Sequence, residues 1–181
     1  MRAWLEGFAN GIPSTWTRVG TWTSSNGDAI VTSTTGISWL GPPVTPTPKS
    51  TVSAVVVADT LGDITALRAI GVANPHSSTA NDGISCTLLL YNNATERRTV
   101  LSNINAGSMG EGLFTWTEGM PYYVAVRRDL TMYQCLARDL TSMTTTDRTG
   151  SVSIAPTQPI VVFRTRNIAG RAHWLMYVTS P

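Results

Sequence analysis

The chain of 181 residues is 42% hydrophobic and only 13% charged, which supplies one sizeable core and about half the usual share of charge. Thirteen basic residues against eleven acidic ones leave a net charge of +2, too balanced to mark a nucleic-acid-binding surface. The 27 Thr, 15 Gly and 10 Pro form a β-branched, turn-rich mixture that suits strands and excludes a helical bundle.

The chain opens MRAWLEGFANG, with no apolar run, so neither a secretory signal peptide nor a transmembrane anchor is expected. The longest apolar stretch, 54–58, is only strand length, and membrane insertion is not expected. In the segment 8–29 (FANGIPSTWTRVGTWTSSNGDA), Gly11 and Pro13 make a turn and Trp16 heads one strand. Gly20 then permits a reversal, Trp22 lies on the next strand, and Asn26-Gly27 is a favoured hairpin turn into a strand around Ile30. Segment 41–49 (GPPVTPTPK) holds four Pro in nine residues and reads as an extended loop or edge.

A strand is predicted over 52–58. Within 60–71 the residues Ile64, Leu67 and Arg68 fit a helical spacing, yet Ala66, Arg68, Ile70 and Val72 alternate, and a short loop followed by a strand is predicted. A polar loop follows at 74–83. In 84–91 (ISCTLLLY), Ile84, Cys86, Leu88 and Leu90 share one face of a well-buried strand. Further strands are predicted at 99–104, 112–117, 160–164 and 173–179, with a loop at 142–150. Segments 122–128 (YYVAVRR) and 132–138 (MYQCLAR), separated by Asp129, Leu130 and Thr131, form the clearest hairpin. Cys86 and Cys135 each sit in an apolar-alternating run; with no export signal, buried free thiols are expected rather than a disulfide. This density of strands without intervening helices predicts a single domain over 1–181, an all-β two-sheet antiparallel sandwich.

The Phe, Gly, Pro, Trp, Gly, Trp, Asn-Gly pattern of the first thirty residues resembles the opening of concanavalin A-like jelly-roll domains, the lectin and glucanase superfamily. Segment 119–138 (GMPYYVAVRRDLTMYQCLAR) is similar to a hairpin of that family. The closing HWLMYV, from His173, is similar to its last strand, which pairs with the first. The resemblance implies a jelly roll whose two sheets pack face to face; it implies an activity far less.

Catalysis by the route of the family's glucanases needs paired carboxylates on alternate positions of one strand, and no Glu-x-Asp-x-x-Glu run occurs. Glu111 and Glu118 lie at opposite ends of one predicted strand, and Asp59, Asp63, Asp129, Asp139 and Asp147 lie at turns. No GxSxG elbow occurs, and His76 and His173 suit a loop and a strand edge. No catalytic residue, cofactor or metal site is therefore expected. For sugar binding, the candidates are an aromatic platform from Trp39, Trp116 or Tyr123 with Asn92 and Asn93 in adjoining loops.

Domains resembling this one occur in virion structural proteins of tailed bacteriophages, and the 12 Arg against a single Lys would suit a GC-rich host. The sequence-level expectation is a capsid decoration or other head or tail surface protein, made in the bacterial cytoplasm and carried on the virion. Its partners would be the major capsid or tail proteins and copies of itself. Docking would run through residues 1–12 and the Pro-rich loop 41–49, with Trp4, Phe8, Pro42, Pro43 and Pro46 as contacts. The alternative is a lectin-like carbohydrate-binding module for host surface glycans.

Overall fold

A computed structural model describes residues 2–44, 47–75, 83–91, 95–103, 107–151 and 161–179. These contain fifteen strands: β1 (Arg2–Gly7), β2 (Thr17–Val19), β3 (Trp22–Ser25), β4 (Asp28–Val31), β5 (Ile37–Gly41), β6 (Lys49–Leu61), β7 (Arg68–Pro75) and β8 (Gly83–Leu90). They continue with β9 (Arg97–Asn103), β10 (Gly107–Leu113), β11 (Pro121–Asp129), β12 (Met132–Asp139), β13 (Thr145–Ser151), β14 (Val162–Arg166) and β15 (Ile168–Thr179). A single turn of 3-10 helix, Phe8–Asn10, follows β1.

The strands form two antiparallel sheets. One has eight strands in the order β13-β12-β11-β6-β15-β4-β3, with β1 added beside β15; the other has seven in the order β10-β9-β8-β7-β14-β5-β2. Alternation builds the layer between them. Val52, Ala54 and Val56 of β6 and Val124 and Val126 of β11 meet Ile70, Val72, Cys86, Leu88 and Phe163 from the opposite sheet in one buried cluster. The first and last strands pair from Arg2 with Thr179 to Gly7 with Trp174, as the resemblance implied.

The Asn26-Gly27 hairpin forms with φ of 54° and 83° at its two central residues, the left-handed pair that a two-residue turn matching strand twist requires. At Gly20 the expectation fails. The strands on either side belong to different sheets, β2 pairing with β5 and β3 with β4, so the chain crosses the sandwich there. Gly20 has φ 84° and lies so close to Ser38 that a Cβ would sit 2.4 Å from its Oγ, which only glycine tolerates.

The segment 142–150 is not all loop, because β13 pairs with β12 along its length, from Thr145 with Arg138 to Ser151 with Met132. The strand near 112–117 is displaced: β10 ends at Leu113, and Phe114 and Trp116 leave the sheet to fill the core. The thiols are not free. Cys86 of β8 and Cys135 of β12 form a disulfide that joins the two sheets, since the alternation that buries both side chains aims them at the same point of the interlayer.

The expected docking contacts are partly structural. Phe8 is 1% exposed and packs edge-on against Trp16 with ring centroids 5.6 Å apart; Trp4 is half-buried, its ring centroid 5.2 Å from that of Trp16. Phe8 belongs to the core with Trp16, and Trp4 packs against it. Pro42 is buried and Pro43 exposed, and Pro46 lies outside the described residues.

Candidate functional site

The site is built on the outward face of the seven-stranded sheet, and its key strand is β14. In VFRTR, Phe163 and Thr165 turn inward, which places Val162, Arg164 and Arg166 together on the outward face. Arg164 stands opposite Gly71 of β7 on one side and Trp39 of β5 on the other. A Cβ at Gly71 would lie 2.1 Å from the Cys86 carbonyl oxygen, so the position beside Arg164 in the ladder has no room for a side chain. Thr87 and Val100 continue the same cross-strand row through β8 and β9.

A cavity of about 170 Å³ opens along this face. Its floor is apolar: Ala69, Leu89 and Val100 form a small buried cluster, with Leu67 and Tyr91 packed against it. Its polar lining comes from Thr87, Ser102, Ser108 and Asn103, and from Arg164 and Arg166. The Ser102 Oγ is 2.8 Å from the Ser85 Oγ, which leaves it capacity for a further bond. The tyrosine wall is braced: Tyr91 donates to Glu111 at 2.5 Å, Arg98 donates to the other Glu111 oxygen at 3.1 Å, and the Arg98 guanidinium lies 5.9 Å from the Tyr91 ring centroid. The bond to Glu111, together with burial, raises the Tyr91 phenol above its ordinary value.

Arg164 is only 5% exposed, and its Nε has no hydrogen-bond partner among the described residues. Burial, reinforced by the neighbouring Arg166 charge, pushes it down to about 10, so it still carries its charge at neutral pH. By contrast, Arg97 is paired with Glu118 at 2.9 Å, and Arg98 with both Glu96 and Glu111. Among the described residues, no carboxylate forms an ion pair with Arg164 or Arg166.

The aromatic platform expected from the sequence does not assemble. Trp116 is fully buried, covered by the Arg97 guanidinium 4.7 Å from its ring centroid. Trp39 shares the face of Arg164 but is 2% exposed, packed with Ala73 and Val162, so its ring presents no free face to a sugar. Tyr123 lies on the outward face of the other sheet, 6.1 Å from the ring of Trp174. Asn92 and Asn93 lie outside the described residues. The signal that was available is the Arg-x-Arg spacing in β14, which alone puts two guanidiniums on one face.

Two other clusters are less suited to a ligand. On the outward face of the eight-stranded sheet, Arg171 bridges Asp59 at 2.9 Å and Asp28 at 3.5 Å, and His173 Nδ1 lies 2.6 Å from Asp28 Oδ1. Asp59 and His173 are the extra residues of two bulges in the β6–β15 pairing. The charges there satisfy one another and tie β4, β6 and β15 together, while burial raises the Asp59 carboxyl against the pull of Arg171. A larger depression of about 670 Å³ is lined mainly by Thr and Ser around Asp139, but that carboxylate is occupied by the turn after β12, accepting from Thr141 N and Ser142 N.

No family model matches the sequence, and no curated protein does. In structure the chain is similar to the basic winged bean lectin with Tn-antigen (TM-score 0.72, 10% identity, 97% of each chain covered) and to lectin II from Ulex europaeus (0.68, 13%, 99% of each). It is also similar to the carbohydrate-binding module CBM66 from Bacillus subtilis (0.67, 12%, covering 87% of this chain and 91% of that one). With the xyloglucan-locus protein GH43B of Bacteroides ovatus, the similarity covers 97% of this chain and 39% of that one. At these identities the likeness carries the fold alone: the chain is an all-β, concanavalin A-like jelly roll.

Proposed function

We propose that this chain is a carbohydrate-binding module whose ligand sits on the outward face of the seven-stranded sheet. The observation that carries the reading is the composition of the Arg164 cavity. An apolar floor of Ala69, Leu89 and Val100 with the Tyr91 wall suits the C–H face of a sugar ring, and Thr87 and Ser102 stand beside it to exchange hydrogen bonds with ring hydroxyls. At about 170 Å³ the cavity is smaller than the roughly 300–1,000 Å³ of drug-sized pockets, so it suits one ring of a longer glycan. The reading is supported by a fold shared with lectins and a carbohydrate-binding module. Nothing in the fold bears on virion partners or location.

The test is a glycan array followed by titration calorimetry on the glycans it selects. Binding should weaken about tenfold or more in Tyr91→Ala, which removes one wall, and should survive Tyr123→Ala on the opposite sheet. Absence of binding to every glycan, or a loss in Tyr123→Ala with none in Tyr91→Ala, overturns this placement.

A further inference from the structure

We propose that the Arg164 cavity selects a sugar that carries a carboxylate, held in a two-pronged contact by Arg164 with Arg166 beside it. This rests on the carbohydrate-binding reading and names the chemical class of its ligand.

Three observations lead there. First, Arg164 is nine-tenths buried with a polar atom that no described residue satisfies, and a buried charge without a counter-ion is costly enough that proteins rarely retain one. Second, the remedy used elsewhere on the molecule is missing here. Arg97, Arg98 and Arg171 each hold a carboxylate within 4.0 Å, and the buried Arg68 and Arg128 donate to backbone carbonyls instead, whereas among the described residues Arg164 makes neither contact and Arg166 holds no carboxylate. Third, both guanidiniums, neither paired with a described carboxylate, line the same cavity as the hydroxyls and the apolar floor, so an anion that satisfies them would belong to a molecule that also presents a ring. A guanidinium is a planar fork matched to a carboxylate's two oxygens. Glu111, the acid on this row of the face, is already engaged by Tyr91 and Arg98, so it does not compete for Arg164.

Affinity for an oligouronate, a sialoside, a sulfated disaccharide and the carboxyl-reduced, neutral form of the oligouronate tests this. Binding of the oligouronate or the sialoside, lost about 10- to 100-fold on carboxyl reduction and by a similar factor in Arg164→Met, is the expected result, the size being that of hydrogen bonds to a charged group. Arg127→Gln, on the opposite sheet, should leave binding unchanged. Equal binding of acidic and reduced forms, or binding of the sulfated sugar alone, overturns the inference while the carbohydrate-binding function stands. Absence of binding by every glycan removes both. Thermal unfolding separates a ligand contact from a structural one: Arg164→Met should hold or raise Tm, because it removes a buried charge that no described carboxylate pairs, and the oligouronate should raise Tm only in the parent protein. A lower Tm in Arg164→Met would mean that the guanidinium serves the fold, and would overturn the proposal.

Discussion

Cys86 and Cys135, 49 residues apart in sequence, are joined across the interlayer with their Cα atoms 5.0 Å apart, and both are fully buried. A cross-link closing a loop of that length restricts the unfolded chain by roughly 4 kcal/mol in the chain-entropy picture. The double variant C86A/C135A should therefore unfold about 3–4 kcal/mol more easily in urea, and the parent protein should show a similar shift when a reductant is present throughout the titration. Identical urea midpoints for parent and variant would mean that the bond does not form.

Much of the scaffold was legible because alternation is a local signal. The hairpin 122–138 forms with Tyr122 opposite Asp139 and Asp129 opposite Met132, since its inward residues, Arg128 apart, are apolar and Leu130 takes the left-handed turn position at φ 57°. Strand β13 escaped because TTDRTGS has no apolar face; it lies at the sheet edge with half its residues in water, and its ladder to β12 holds it. The disulfide was hidden for another reason: residue spacing along one chain says nothing of which strands from two sheets face each other. The site divides in the same way. That Arg164 and Arg166 share a face follows from the period of two, but the burial of Arg164 depends on Gly71 and Trp39, brought beside it from distant parts of the chain. Trp39 and Trp116 failed as platforms because large rings in a sandwich of this size are drawn into the packing.

Asn167 links β14 to β15 with φ 51° and ties down two other loops, β4–β5 and β6–β7. Its Oδ1 accepts from Gly36 N at 2.7 Å, its Nδ2 donates to Leu67 O at 2.8 Å, its N–H donates to Gly36 O at 2.8 Å, and its carbonyl accepts from Gly62 N at 2.9 Å. Asn tolerates this backbone region better than most residues. Asn167→Ala strains the backbone and strips two side-chain bonds, so a loss of about 2–4 kcal/mol is expected in urea unfolding. Asn167→Gly relieves the strain but not the missing bonds and should fall between Ala and parent. Equal stability of all three would remove this role.

Removal of the first eight residues deletes β1, which pairs with β15 at six positions, and Phe8, which is 1% exposed. Such a truncation is a folding lesion rather than a clean test of docking. Phe8→Ala alone should cost about 3–5 kcal/mol, whereas Leu5→Ser, at a side chain 64% exposed, should change stability by about 0.5 kcal/mol or less. Comparing the two variants by thermal unfolding checks the assignment, and a larger loss for Leu5→Ser would contradict the observed facing of β1.

Asp139 closes the turn between β12 and β13. Its Oδ1 accepts from Thr141 N at 2.7 Å and Ser142 N at 3.2 Å, and its Oδ2 accepts from Ser142 Oγ at 2.9 Å. These bonds, the one from the Thr141 backbone foremost, favour the ionised carboxylate and hold it below its ordinary 3.8. A carboxyl depressed in the folded state contributes stability that is present above the unfolded value and is lost as pH falls through the folded one. The carboxyl resonance of Asp139 should accordingly titrate with a midpoint below 3.8. In thermal unfolding, Asp139→Ala should be less stable than the parent at about pH 5, and the gap should close as pH falls below the native midpoint toward about pH 2. A gap that stays constant with pH, or a midpoint at or above 3.8, would mean that the turn does not depend on the charged form of Asp139.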